Sequence, residues 1–178
     1  MAQGKTPMDS LTVMTQIVLP NDTNNLNNLF GGQLLSWMDR ACAIAANRHC
    51  KETVVTSTIN NVAFKNPIPQ GAIVTIEAKV SRAFTSSMEV IADVYLESKG
   101  PGQARLKANE GIFTFVAVDG LGRPVKIPSI HPESELEQQR FDAALRRKQL
   151  ALIIAGKMDP SAATELKALF YPSESAEQ

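Results

Sequence analysis

The residues with the most chemistry to offer lie close together early in the chain, in the run Asn24-Asn25-Leu26-Asn27-Asn28-Leu29-Phe30-Gly31-Gly32, followed by Asp39. Asp39 is a carboxylate set in a stretch that is otherwise apolar: Leu34, Leu35, Trp37, Met38, Ala41, Cys42, Ala43, Ile44, Ala45 and Ala46. A carboxylate in such surroundings is costly unless it is paired or protonated. In a site it can serve as general base on water or as nucleophile. The alternative is a place at a solvent-facing seam, or a pair with Arg40 or Arg82. Gly31 and Gly32 stand where a helix is expected to begin. Without side chains there, a substrate oxygen can approach the unpartnered N–H groups of the first turn at the positive end of the helix dipole, which is oxyanion-hole chemistry. Close packing of helix on sheet would call for the same glycines. Asn24 belongs to a stretch, Asn21 to Asn28, in which five of eight residues are asparagine, a composition that by itself signals a turn.

Other chemistries find less support. The only histidines are His49 and His131, and the only cysteines Cys42 and Cys50. A zinc site needs more ligands at clearer spacing. Cys42 lies in the apolar run, and Cys50 is merely the sequence neighbour of His49, so a Cys-His nucleophile pair has no geometric basis. No phosphate loop, dinucleotide fingerprint or GxSxG elbow is present. Lys65, Arg82, Lys99, Arg105 and Lys107 fall near expected strand ends and turns, where solvated faces are the default and contact with a phosphate is the alternative.

These residues must be held by an ordered frame, and the chain supplies one. After a lead-in at 1–10, Leu11 to Leu19 alternates as a strand and stops at Pro20. The apolar segment from Gly32 to about His49 reads as a helix that is apolar on every face, hence buried. Four strands follow: Val54 to Phe64, Val74 to Ser81, Met88 to Glu97 and Gln103 to Val118. Gly111 suggests a bulge in the last of them. The connections at Phe84–Ser87 and Lys99–Gly102 are short, which implies antiparallel neighbours. One antiparallel sheet curled around one long helix buries both, an α+β arrangement of the hotdog type. Ser134 and Glu137 form a capping-box pattern that opens a second helix reaching about Ala155, with Gly156 as its stop. Asp159-Pro160 then starts a third helix, expected from Ser161 to Phe170.

The 178 residues suit one core. Eighteen basic residues balance eighteen acidic ones, which argues against a general nucleic-acid or membrane-surface role. No apolar run approaches the roughly 18 residues of a membrane span. With no secretory leader and two unpaired-looking cysteines, the expected location is cytoplasmic.

The run LPNDTNNLNNLFGGQLLSWMDRACAIAANRHC resembles the signature of hotdog acyl-CoA thioesterases, and VVTSTINNVAFKNPIPQGAIVTIEAKV and TSSMEVIADVYLES resemble the next two blocks of that family. The similarity spans about Thr12 to Pro128, with a less specific likeness in the helical extension to Phe170. It implies a hotdog domain at 11–128, a C-terminal helical extension at 129–171 and a tail at 172–178. It implies hydrolysis of a fatty acyl-CoA to the free acid and CoA, with no cofactor and no metal. The rival readings are an acyl-thioester dehydratase, which needs a site histidine, and a non-catalytic acyl-CoA sensor. By resemblance the catalytic pair falls on Asn24 and Asp39, acting across a dimer interface, with backbone support from Gly31 and Gly32. Arg82, Thr85, Ser86 and Ser87 would meet the CoA phosphates, and Trp37, Phe64 and Met88 would line an acyl tunnel or simply pack. A homodimer at least is expected, and a homohexamer built as a trimer of dimers. Two departures from the family pattern stand out. Asn27 replaces a usual glycine, in a turn that asparagine can hold, and Asn60 takes the place of a usual acidic residue.

Overall fold

The computed structural model describes residues 4–64, 66–97 and 105–170. The expected turn at Lys99–Gly102, the cation Lys65 and the tail from 172 lie outside them. Contacts divide the chain into two compact units, Met1–His131 and Pro132–Gln178.

The first unit holds β1 (Thr12–Ile17), α1 (Gly31–Cys50), β2 (Thr53–Ala63), β3 (Ile73–Ala83), β4 (Ser87–Leu96) and β5 (Leu106–Val118). The strands form one sheet in the order β1-β3-β4-β5-β2, antiparallel throughout. α1 touches all five strands. This is the hotdog fold expected from the sequence. The core is the sheet-facing stripe of α1, namely Leu34, Trp37, Met38, Ala41, Cys42, Ala45 and Ala46, set against Ile76, Val80, Met88, Val90, Val94, Phe113 and Phe115. Fully burying one such large apolar side chain contributes about 1.5–3 kcal/mol. Trp37 and Met88 are therefore packing residues, 4% and 0% exposed.

α1 ends where Lys51 turns left-handed at φ 63° and donates its N–H to Asn47 O. The Lys5 ammonium sits on the last carbonyls, 2.5 Å from His49 O and 3.3 Å from Arg48 O. A cation there complements the negative end of the helix dipole.

Two expectations are corrected. α1 is not buried on every face: Gly32, Arg40, Ile44, Asn47 and Arg48 are exposed, because the sheet covers only one side of the helix within the chain. Gly111 is not a bulge, since it pairs in register with Ala92. It is glycine because a Cβ would collide with Met38 Cε and press on Phe113 at 3.0 Å and Val62 at 3.2 Å. The irregularity near Gly111 is on the facing strand, where Asn61 and Val62 of β2 stand against Gly111 alone; the other register shifts fall between Thr56 and Thr58, between Val80 and Arg82, and at Val94/Tyr95. On the far face of β4, Glu89 and Asp93 are buried at 3% and 6%. They are held by the Ser81 hydroxyl, 2.6 Å from Glu89 Oε1, and by the Lys107 ammonium, 2.7 Å from Asp93 Oδ1.

The second unit holds α2 (Glu135–Ile154) and α3 (Thr164–Lys167). Ser134 caps α2 by accepting from Glu137 N, while the Glu137 carboxylate reaches back to Glu133 N. Gly156 takes φ +66°, as a helix stop should. The third helix is shorter than expected. Asp159 caps a 3-10 turn at Pro160–Ala162, and Ala163 at ψ 67° separates that turn from α3. Gln149 Oε1 accepts from Leu166 N at 2.8 Å and ties α3 to α2.

Candidate active site

Asn24 sits in a loop closed by its own side chain. Its Oδ1 accepts from Leu26 N at 2.9 Å and from Asn28 N at 3.2 Å, and its backbone N–H bonds Asn28 O. Both donors are backbone N–H groups, so the oxygen of the amide is fixed as the loop-facing atom and Nδ2 is the atom left to face outward. Asn27 takes φ 54°, so asparagine does hold the left-handed turn. The loop delivers the chain to α1, where Phe30 O accepts from Gln33 N and Leu34 N. The first-turn N–H groups left over are those of Gly31 and Gly32. A Cβ on Gly31 would lie 3.2 Å from the Phe64 ring, and one on Gly32 2.9 Å from the Phe30 ring. The two glycines thus admit both aromatic rings against the helix start as well as leaving its N–H groups approachable.

A cavity of about 420 Å³ opens beside this turn, lined by Asn24, Gly31, Leu34, Phe64, Ile68 and Asn109 among others. A more open hollow also touches Asn24, with Thr23, Leu26 and Phe30.

Asp39 lies further along the helix and lines neither space. It is half-exposed, and its partner is neither Arg40 nor Arg82. The Thr56 hydroxyl donates to Asp39 Oδ1 at 2.9 Å. Arg40 turns back to Ser36 Oγ, and the Arg82 guanidinium stacks 5.8 Å from the Phe84 ring centre. Thr56 reaches Asp39 because it pairs with Phe115 and shares that residue's helix-facing side of the sheet.

Within one chain the two groups are apart. From Gly31 to Asp39 the helix rises about 12 Å at 1.5 Å per residue. On β5 the six residue steps from Asn109, at the cavity, to Phe115, opposite Thr56, span about 20 Å at roughly 3.3 Å per residue. Arg82, Thr85, Ser86 and Ser87 belong to the Asp39 end, since Ser87 pairs with Val116. There Thr85 O accepts from Ile127 N and Ser86 O from Ala117 N, which fixes the turn.

The remaining candidates are committed elsewhere. His49 is fully buried at the opposite end of α1 from the cavity and is 2.9 Å from Pro128 O through Nε2. Cys42 is fully buried, and burial, with the charge of Asp39 second, pushes its thiol well above the ordinary range. The Cys50 sulfur sits against the backbone of Glu52.

Thr56 and Asn109 were missed in the sequence. Nothing local marks Thr56, whose position depends on strand pairing. Asn109 is visible as the polar exception in the alternating inward series Asn109, Gly111, Phe113, Phe115 and Ala117.

Comparison with known proteins gives a consistent answer. The family model of the Thioesterase superfamily matches residues 26–102. The uncharacterized acyl-CoA thioester hydrolase YkhA of Bacillus subtilis is 42% identical over 139 residues, covering 78% of this chain and 80% of its own. The acyl-CoA hydrolase of Staphylococcus aureus, solved with butyryl coenzyme A and coenzyme A, superposes with a TM-score of 0.79 at 32% identity, over 93% of this chain and 98% of that one. Solved variants of that hydrolase carry alanine for an asparagine, an aspartate and a threonine. These are spaced along its chain at the intervals that separate Asn24, Asp39 and Thr56 here. A hexameric acyl-CoA thioesterase superposes with a TM-score of 0.80 at 33% identity, over 86% of this chain and 97% of that one. With this fold and these relatives, the chain belongs to the hotdog acyl-CoA thioesterases of the Thioesterase superfamily.

Proposed function

We propose that the protein hydrolyses acyl-CoA thioesters to a free acid and CoA in sites shared between two copies of the chain. The observation that carries the reading is the split geometry: Asn24, Gly31 and Gly32 stand at one end of α1, and Asp39 with Thr56 about 12 Å further along it. A two-fold pairing of copies brings the Asn24 end of one against the Asp39 end of the other, twice per dimer. β2 is the edge that invites this pairing. Its Val55 and Ile59 are 47% and 45% exposed, and Ile44 on the uncovered side of α1 is 44% exposed.

In each composite site the thioester carbonyl lies at the start of α1. Asn24 Nδ2 and the N–H groups of Gly31 and Gly32 donate to its oxygen as negative charge develops; one such donor is worth about 100- to 1000-fold in rate. Asp39 of the other copy acts as general base. Its Oδ1 is held by Thr56, and Oδ2 takes the proton from water as the water oxygen bonds the carbonyl carbon. The C–S bond then breaks, Asp39 passes that proton to the departing sulfur, and CoA leaves as the thiol with the carboxylate regenerated. Base catalysis of this kind contributes about 100- to 10,000-fold. No metal or cofactor enters the steps. Arg82, Thr85, Ser86 and Ser87 lie at the Asp39 end and would receive the CoA phosphates. A dehydratase would need a histidine at the cavity, whereas His49 is bonded at the far end of α1.

The same reading takes the assembly to a hexamer of three dimers, as in the hexameric relatives. Residues 11–128 form the catalytic domain and 129–171 the extension. Among the described residues no helix is long and apolar enough to cross a membrane, and both cysteines are free thiols, which fits a cytoplasmic enzyme.

The test is thiol release from acyl-CoAs of graded length by wild type and Asp39→Asn. Turnover that falls by orders of magnitude in the variant, with the oligomer intact, supports the reading. No release by folded wild type overturns it, and turnover indifferent to the change removes Asp39 from the centre.

A further inference from the structure

Two spaces meet at Asn24, and each has an aromatic ring in its lining. Phe64 belongs to the cavity and Phe30 to the more open hollow. Each ring also stands against one glycine of the helix start, Phe64 at Gly31 and Phe30 at Gly32. A thioester has two arms leaving its carbonyl, the acyl chain and the pantetheine of CoA. The cavity draws on Leu29, Leu34 and Ile68, 8%, 2% and 3% exposed, together with Pro67 and Phe64. The hollow has Thr23 and Asn25 beside Leu26, which is 78% exposed. Buried apolar side chains suit the acyl arm, and pantetheine, with its two amides, suits the open polar side.

The Phe64 ring meets Gly31 end-on. A Cβ on Gly31 would lie 3.2 Å from Cζ and 3.4 and 3.6 Å from the two Cε atoms, so the tip of the ring points at the first turn of α1. The backbone that carries the ring is tied down on both sides. Before it, Ala63 pairs with Glu110 of β5. After it, Ile68 O accepts from Leu29 N at 2.7 Å, and Gln70 N donates to Asn27 O at 3.0 Å. These bonds sew the segment that follows Phe64 to the Asn24 loop. A carbonyl oxygen that accepts from the Gly31 N–H stands beside that glycine. The first carbon of the acyl chain, bonded to the same carbonyl, then lies against the ring tip.

We propose that Phe64 is a specificity-determining residue that admits acyl groups unbranched at the carbon next to the thioester carbonyl and rejects those branched there. The assignment rests on the hydrolase reading above and names the acyl class that the site takes. An unbranched carbon presents only hydrogens to the ring. A branch adds a methyl group that must push the ring aside or draw the carbonyl oxygen off its donors. Phe64 is 53% exposed, so its ring can yield at a cost, and the effect is a ratio of rates rather than complete exclusion.

The experiment compares kcat/KM for butyryl- and isobutyryl-CoA in the full-length oligomer. The two acyl groups are isomers with the same number of carbons, so the ratio reads shape rather than hydrophobicity. Isovaleryl-CoA, branched one carbon further out, is the third substrate. The enzymes are wild type, Phe64→Ala, Phe64→Leu and Phe30→Leu. Wild type is expected to favour butyryl- over isobutyryl-CoA by about tenfold or more, with isovaleryl-CoA between them. Phe64→Ala should bring the butyryl-to-isobutyryl ratio to within about threefold of one, and Phe64→Leu should give an intermediate value. Phe30→Leu should change both substrates alike and keep the ratio. A wild type that does not discriminate overturns the inference, as does a ratio unchanged in folded Phe64→Ala. A ratio that collapses in Phe30→Leu instead places the acyl arm in the other space and overturns it too. If the alanine variant fails to fold, the wild-type ratio and the leucine variants decide. Absence of turnover with every acyl-CoA is a separate outcome, which overturns the hydrolase reading and this inference with it.

Discussion

Two inactive variants should restore one another if the site is divided between copies. Asn24→Ala removes the donor at one end of α1, and Asp39→Ala removes the carboxylate about 12 Å further along it. A side chain spans only a few ångströms, so neither group can serve the other's position in its own chain. In a mixed dimer, one site combines both lesions. The other joins Asn24 from the Asp39→Ala copy with Asp39 from the Asn24→Ala copy, and is intact. Random exchange makes half of the dimers mixed, each with one good site of two, so the mixture should recover about one quarter of wild-type activity. The assay is thiol release from one acyl-CoA, read for each variant alone, for the two simply combined, and for the two after co-expression or unfolding and refolding together. Each variant alone should lose at least about 100-fold. Recovery only after exchange supports a shared site. Exchange verified by mass labelling without recovery refutes it, because sites confined to one chain leave a lesion in every site of the mixed dimer.

Three further outcomes are expected. Thr56→Val keeps shape but removes the hydroxyl from Asp39 Oδ1. A hydrogen bond to a charged group is worth about 1.5–3 kcal/mol, so kcat should fall roughly 10- to 100-fold with KM little changed; a change in KM alone would count against the positioning role. Burial holds the pKa of His49 below the ordinary 6.5, with Lys5 acting in the same sense and the Pro128 carbonyl and Asp9 opposing. The unfolded chain therefore takes up this proton first as pH drops. Stability from His49 is complete above about 6.5 and is lost as pH falls through the lower folded value. Urea midpoints across that window should slope less in His49→Gln, and parallel slopes would exclude His49 as their source. Gly111→Ala should lower stability by about 1–3 kcal/mol through overpacking against Met38, Phe113 and Val62. Met38→Ala should relieve part of that loss in the double variant, and strictly additive losses would contradict the contact.

The fold was legible because its signals are local. Alternation in Met88–Leu96, the length of the apolar segment from Leu34 to Ala46 and the short turns between strands were enough to call for a sheet around a helix. What the pattern left open was the third dimension of α1. Apolar residues all round suggested burial within one chain, yet Ile44 and Arg40 look outward, because the sheet of the same chain covers only one side of the helix. Gly111 was half legible: an irregularity does fall there, but on β2 opposite it, and the missing Cβ is explained by Met38, Phe113 and Val62. Asn24, Gly31 and Gly32 could be read together since one loop and one helix turn position them. Thr56 could not, because its meeting with Asp39 is made by the pairing of β2 with β5.

The two register shifts in β2 have a consequence for how the sheet stops growing. An open edge with unpaired N–H and C=O groups is a template for cross-β assembly, and a flat one recruits strands without limit. β2 is broken just after Thr56 and again after Asn60, so its edge twists twice within its length. A flat passing strand cannot follow that contour. The kinks thus disfavour open-ended growth of the sheet at this edge. Variants that straighten β2, by deleting Ser57 for example, should make this edge more prone to cross-β assembly, read as fibril formation by dye binding.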